Sequence, residues 1–292
     1  MAILAFDIGG TAVKYGLWEE QLSQTNDFPT PATWPEMQQQ LMRVFEDVKK
    51  THQITGVAFS APGAVNTETG VIGGISAVPY VHHFPIVSQL ASLFNLPVTM
   101  ENDANCAALA EVWQGAAKEV ANSLFLVIGS GIGGAVILNR QLVKGPQLFG
   151  GEFGYMLMDQ QRTFSQVASP VVVAREFAAA HLGGQPLSGK ELFALADGGD
   201  QAAQKAIDQM YDGLARGIVN LAVSFNPDKV LIGGGLSSRS DLLAILTLKV
   251  EALINQVQAT DLVVPLGICQ FNNQANLIGA VANFMTTLPA QV

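Results

Sequence analysis

Two short apolar strands, each running into a glycine turn and a returning strand, restrict this chain more than anything else in it. The first is Ile3-Leu4-Ala5-Phe6-Asp7, followed by Ile8-Gly9-Gly10-Thr11 and a strand over Val13 to Trp18. The second is Leu124 to Ile128, followed by Gly129-Ser130-Gly131-Ile132-Gly133-Gly134 and a strand over Ala135 to Leu138. About 120 residues separate them, far too many for a solenoid repeat. The pair predicts two similar α/β domains facing one another across a cleft, a common place for a ligand. The expected division is residues 1–115 plus 275–292 for a smaller α/β domain and 116–274 for a larger one.

Composition removes whole classes of function. The 292 residues are 49% hydrophobic and only 13% charged, against about 25% charged in typical soluble domains. That is too apolar for a disordered chain. A net charge of -9 argues against a nucleic-acid partner, which needs a clustered basic surface. Two cysteines, Cys106 and Cys269, make no disulfide framework and fit a reducing cytoplasm. No signal peptide is visible, and the apolar stretch 124–138 is interrupted by glycines and shorter than the ~20 residues of a membrane span.

Between the turns, helical spacing covers Trp34 to Lys50, Phe84 to Leu93 and Asp103 to about Trp113. Strands are expected at Ile54 to Ala61 and Pro97 to Glu101. The second half predicts helices near 168–181, 188–196, 200–224, 240–257 and 275–285, with strands at 229–232 and 262–267. Prolines 29, 31 and 35 mark a loop.

Five constellations carry chemistry. In Asp7-Ile8-Gly9-Gly10-Thr11-Ala12-Val13-Lys14, glycines without a Cβ let backbone N–H groups approach phosphate oxygens. Thr11 adds a hydroxyl, Lys14 a positive charge, and Asp7 a ligand for Mg²⁺, directly or through water. The second turn, with Gly129, Gly131, Gly133 and Gly134, contains G-x-G-x-x-G. A strand follows it rather than a helix, so a second phosphate-cradling hairpin is preferred to a dinucleotide fingerprint. No P-loop string occurs. Glu101-Asn102-Asp103-Ala104-Asn105 sits where a strand meets a helix. Asn102 and Asp103 there either cap the helix or, beside two phosphate turns, present a base to a hydroxyl that attacks phosphorus. Gly150-Gly151-Glu152-Phe153-Gly154-Tyr155 is a surface loop or a segment whose flanking glycines leave Glu152 free to reach into a polar pocket, where a carboxylate can accept from sugar hydroxyls. Gly233-Gly234-Gly235 after a strand is a plain turn or bare backbone for adenine. His52, His82, His83 and His181 show no metal spacing, although His82 and His83 lie on a plausible pocket rim.

Taken in order, these motifs resemble the ROK family of sugar kinases and repressors, which has the actin-like ATPase, ribonuclease H-like fold of duplicated domains. The resemblance covers essentially the whole chain. It implies ATP-dependent phosphorylation of a hexose hydroxyl, O6 above others, with Asp103 as general base. By the same resemblance Asp7, Gly9, Gly10, Thr11, Lys14, Gly129, Gly131, Gly133, Gly134, Gly234 and Gly235 hold Mg²⁺ and ATP. The sugar falls to Gly63 of Ser60-Ala-Pro-Gly63, Asn102, Asp103, Glu152 and Tyr155. A homodimer is implied as well. Two departures matter. Tyr155 stands where most family kinases have a zinc-binding His, and residues 158–169 contain no Cys, so no zinc is expected. The chain is similar in this to zinc-free members, among them β-glucoside kinases, some N-acetylmannosamine kinases and glucokinase-like proteins. Alternatives from another class are a sugar-responsive repressor, disfavoured by a phosphate motif that begins at residue 7, and a non-catalytic sugar sensor.

Overall fold

The computed structural model describes residues 1–288. Residues 289–292, the end of the expected smaller domain, lie outside the described residues. In chain order the first half holds β1 (Ala2–Ile8), β2 (Ala12–Trp18), β3 (Leu22–Pro29), α1 (Trp34–Lys49), β4 (Ile54–Ala61), β5 (Ala64–Asn66), β6 (Val71–Gly73), α2 (Ile86–Phe94), β7 (Val98–Asn102) and α3 (Asp103–Gln114). The second holds β8 (Ser123–Ile128), β9 (Ile132–Leu138), β10 (Gln141–Leu142), α4 (Phe164–Ala168), α5 (Pro170–His181), α6 (Gly189–Asp197), α7 (Gln201–Phe225), β11 (Lys229–Gly234), α8 (Leu242–Gln256), β12 (Leu266–Ile268) and α9 (Ala275–Thr287). None of these helices is long and apolar enough to cross a membrane.

The chain forms two compact units. One comprises residues 1–118, 145–149 and the described residues from 273 onward, and the other residues 119–144 and 150–272. Each contains a five-stranded sheet of the same plan. The first runs β3-β2-β1-β4-β7 and the second β10-β9-β8-β11-β12. In both, the opening three strands form an antiparallel meander and the two later strands add in parallel.

The first unit is organised by β1, every residue of which is buried, as expected of a central strand covered on both faces. Helix α1 starts at a capping box in which Thr33 and Glu36 satisfy each other's backbone N–H groups, with Pro35 in the first turn. It buries Met37, Leu41 and Phe45 against a core that includes Phe6, Phe59 and Phe94. Helices α3 and α9 pack closely because Gly279 lies on the backbone of Cys106, where a Cβ would come within 1.7 Å of the carbonyl oxygen. In the second unit, Gly217 of α7 lies under the ring of Phe164 with equally little room.

The structure adds to or refines the sequence reading at three points. Residues 22–29, not assigned in the sequence, form β3, an edge strand whose middle is exposed and polar. The helix expected near 168–181 is α5, which begins at Pro170 because Ser169 caps it by accepting from the Val172 N–H, and a short helix not expected from the sequence, α4, precedes it. The strand at 262–267 is only Leu266–Ile268, since Pro265 and an exposed Val263 precede it.

Candidate active site

In the first unit the sheet register places one polar row across the strands. Asp27 pairs with Lys14, Lys14 with Asp7, Asp7 with Ser60, and Ser60 with Glu101. Residues paired in this way share a face of the sheet. Asp7 is buried, and its Oδ1 accepts hydrogen bonds from Ser60 Oγ at 2.7 Å and Asn276 Nδ2 at 3.1 Å. No residue described here bonds its Oδ2. A fixed carboxylate with one oxygen left over is a fitting donor for Mg²⁺.

The turn after Asp7 is held open from behind. The Gly9 N–H bonds the Ala12 carbonyl at 3.1 Å, Thr30 N–H bonds the Thr11 carbonyl at 3.0 Å, and Thr30 Oγ1 donates to the Gly9 carbonyl. Among the described residues nothing meets the N–H groups of Gly10 and Thr11. The turn therefore offers donors to an anion. The second turn is braced by the same chemistry from different residues. Ser169 Oγ donates to the carbonyls of Gly129 and Ser130, at 2.9 and 3.1 Å, and the Ile132 N–H bonds Ser165 Oγ at 2.9 Å.

At the β7–α3 junction, Asn102 caps the helix, its Oδ1 accepting from the N–H groups of Ala104 and Asn105. Its Nδ2 donates to the Gly63 carbonyl at 3.0 Å, so two of the sugar-site residues expected from sequence are in contact. Glu101 is buried and accepts from the Asn102 N–H and from Asn105 Nδ2. Asp103 follows as the first helical residue. Its carboxyl is held above the ordinary Asp range, chiefly by burial and then by the negative charge of Asp7, while the Ala104 N–H and the Asn102 side chain pull the other way.

The remaining expected residues lie in the second unit. Glu152 and Tyr155 flank Phe153 on a short 3-10 turn; Glu152 is half-buried and Tyr155 exposed. Gly151, at φ +94°, lets this segment lie on the backbone of Gly134. Gly134 itself is explained by packing, since a Cβ there would sit 2.4 Å from the Phe153 ring. Gly129 and Gly235 differ: a Cβ on either would meet nothing within 4 Å. Both line a cavity of about 460 Å³ with Ile128, Val171, Phe193 and Leu236. Arg239 also lines it, its guanidinium 4.4 Å above the Phe193 ring and ion-paired to Asp197 and Asp241. The cavity suits a flat apolar ligand next to bare backbone. Sequence reasoning missed Asn276, Thr30, Ser165, Ser169 and Arg239, and it placed Ser60 on the sugar-side loop rather than against Asp7.

Residues 3–286 match the ROK family. The chain belongs to that family. Two β-glucoside kinases are similar to it along nearly their whole length: that of Listeria monocytogenes is 35% identical over 98% of each chain, and that of Klebsiella pneumoniae 35% identical over 97% of this chain and 96% of its own. A ROK family protein from Streptococcus pneumoniae TIGR4, solved in complex with sucrose, superposes with a TM-score of 0.90 at 33% identity, covering 98% of this chain and 99% of that one. The duplicated sheets of this ROK protein are thus the α/β architecture of the actin-like ATPases.

Proposed function

We propose that this chain, a sugar kinase of the ROK family, transfers a phosphoryl group from ATP to O6 of a hexose or hexose derivative, and that β-glucosides are its preferred acceptors. The observation that carries the chemistry is Asp103. It stands at a helix start beside Asn102, which is tied to Gly63, and its carboxyl is raised towards the range in which a base works best near neutral pH. Asp103 takes the hydroxyl proton as the oxygen attacks. Gly63, Asn102, Glu152 and Tyr155 are assigned to the sugar's hydroxyls. The N–H groups of the two turns, with Thr11 and Lys14, are assigned to the phosphates, and the cavity walled by Gly129 and Gly235 to adenosine. Mg²⁺, which Asp7 would hold through Oδ2, supplies charge neutralisation on the phosphates when bound. The preference for β-glucosides over free glucose rests on the two β-glucoside kinases at 35% identity. The reading places the chain in the cytoplasm, where ATP is supplied.

The test is a panel of glucose, mannose, N-acetylmannosamine and β-glucosides, each with Mg-ATP, in which a β-glucoside is expected to give the highest kcat/KM. Asp103→Asn is expected to lower kcat by a factor on the order of 10³ while ATP still binds. Near-normal turnover in that variant removes Asp103 from the mechanism. A panel in which no sugar consumes ATP removes the kinase reading.

A further inference from the structure

His82 is a buried titratable residue that the phosphoryl transfer does not use. It lies between the two ligand-facing parts of the first unit. Its Nδ1 is 3.2 Å from the Gly73 carbonyl and its Nε2 2.7 Å from Ser76 Oγ. A carbonyl can only accept, so Nδ1 carries the proton and Nε2 accepts from the Ser76 hydroxyl. Burial holds the imidazole below its usual range, with His83 adding to the effect, so the neutral ring that makes both bonds is the resting form. Ser76 Oγ in turn accepts the Val78 N–H at 3.1 Å. The ring thus staples both ends of the 73–77 segment.

Both neighbours of that segment matter. A Cβ on Gly63, whose φ is +96°, would lie 2.8 Å from Cε1 of His82 and 2.9 Å from the Gly73 carbonyl. The imidazole edge is therefore packed on the residue that Asn102 holds beside Asp103. At the other end of the segment, a Cβ on Gly10 would lie 2.6 Å from the Cβ of Ala77. Ala77 is in contact with the phosphate turn. The segment that His82 staples runs from the Gly63 loop to the Gly10 turn, and its central residue, Ile75, is almost wholly exposed at 97%. The Gly73 end is paired with Ala64 in the β5–β6 ladder, and the two imidazole bonds tie that anchored end to Ser76 across the exposed tip.

We propose that His82 is a positioning residue of the transfer: its neutral imidazole fixes the 73–77 segment and so sets where the Gly63 loop stands relative to the Gly10 turn. The acceptor class is the hexose derivative assigned above, and the proposal rests on that reading. His82 touches neither sugar nor phosphate itself, so its removal weakens sugar binding more than the chemical step.

Three variants of the full chain test it. His82→Phe keeps the ring volume and removes both bonds, His82→Gln can still reach Ser76, and Ser76→Ala cuts only the Nε2 bond. Expected for His82→Phe is a rise of about tenfold in the KM of the sugar, with kcat changed less than about threefold. Ser76→Ala should show a smaller rise in the same direction, and His82→Gln a partial return. Amide exchange without ligands should quicken at residues 73–78 in His82→Phe. A fall in kcat at unchanged KM, which loss of folded enzyme alone produces, overturns the role, as does unchanged exchange over 73–78. If His82→Phe does not fold, an unchanged sugar KM in Ser76→Ala overturns it. Wild-type protein that phosphorylates no sugar overturns the kinase reading and with it the catalytic role, while the exchange comparison still reports on the staple.

Discussion

The two sheets share one strand plan and differ in what crosses them just before the glycine turn. In the first the row reads Lys14, Asp7, Ser60 and Glu101. In the second the corresponding residues are Gly133, Val127 and Gly233, with Cys269 beside the last. Every polar or charged position of one row is apolar or bare in the other. Duplicated backbone therefore supplies the shared part, a turn with free N–H groups braced by a hydroxyl, Thr30 in one unit and Ser165 and Ser169 in the other. The charged row lies in the first unit. The second offers a surface stripped of side chains next to an apolar cavity.

If that division holds, the rows should fail differently. The largest effect is expected at Asp7. Asp7→Asn keeps an acceptor for Ser60 and Asn276 but halves what a cation sees, so kcat should fall by a factor on the order of 10² to 10³. The Mg²⁺ concentration for half-maximal activity should rise with it. Val127→Asn, at the matching position, should change neither quantity by more than about twofold. Equal losses at the two positions, or an Asp7→Asn enzyme with unaltered Mg²⁺ dependence, would break the comparison.

The glycines of the second unit give the next largest effect. At Gly129 and Gly235 a Cβ enters open space, so Gly129→Ala and Gly235→Ala should leave the melting temperature within about 2 °C of wild type and raise the KM for ATP about threefold to tenfold. Gly134→Ala is the control. Its Cβ would enter the Phe153 ring and the Phe125 carbonyl, and overpacking of this kind costs about 1–3 kcal/mol, read by thermal or denaturant unfolding. A stable Gly134→Ala with altered ATP affinity would return that glycine to the phosphate site, where the sequence pattern put it.

What could be read from sequence follows the range of the interactions. The turns and the Asn102 cap are local, made by residues within a few positions of one another, and each left a pattern. Asn276 did not, because it reaches Asp7 across 269 positions and nothing near either residue announces the pairing. Thr30, Ser165 and Ser169 are ordinary hydroxyls whose partners are distant backbone carbonyls or N–H groups. Strand β3 was invisible for another reason: Ser23 to Asp27 is a polar edge, held by backbone pairing to β2 rather than by burial. His82 was visible as a residue on a pocket rim, but its partners at Gly73 and Ser76 depend on how the chain between them turns.

The smallest expected effect concerns stability. In the folded protein the Asp103 carboxyl is held above the ordinary Asp value, by burial first and by the negative charge of Asp7. A carboxyl shifted in that direction stabilises the fold fully only below its unfolded pKa, and the contribution is lost as pH rises through the folded value. At neutral pH the ionised group therefore works against folding, which is the cost of keeping a base next to Asp7. Asp103→Asn should melt at or slightly above wild type at about pH 7, by a few degrees at most, while its kcat is expected to fall by a factor on the order of 10³. The gain should shrink as pH falls and vanish once pH lies below the ordinary Asp value, where the wild-type carboxyl is protonated in both folded and unfolded states. Melting curves across that range, with amide exchange to localise the change, decide the matter. Exchange should slow around β7 and α3 and stay unaltered in the second unit, whose turn carries no such group. A variant that melts below wild type at neutral pH, and matches it in acid, would mean that the Ala104 N–H and Asn102 outweigh burial and the Asp7 charge, and the base would then rest on capping rather than on strain.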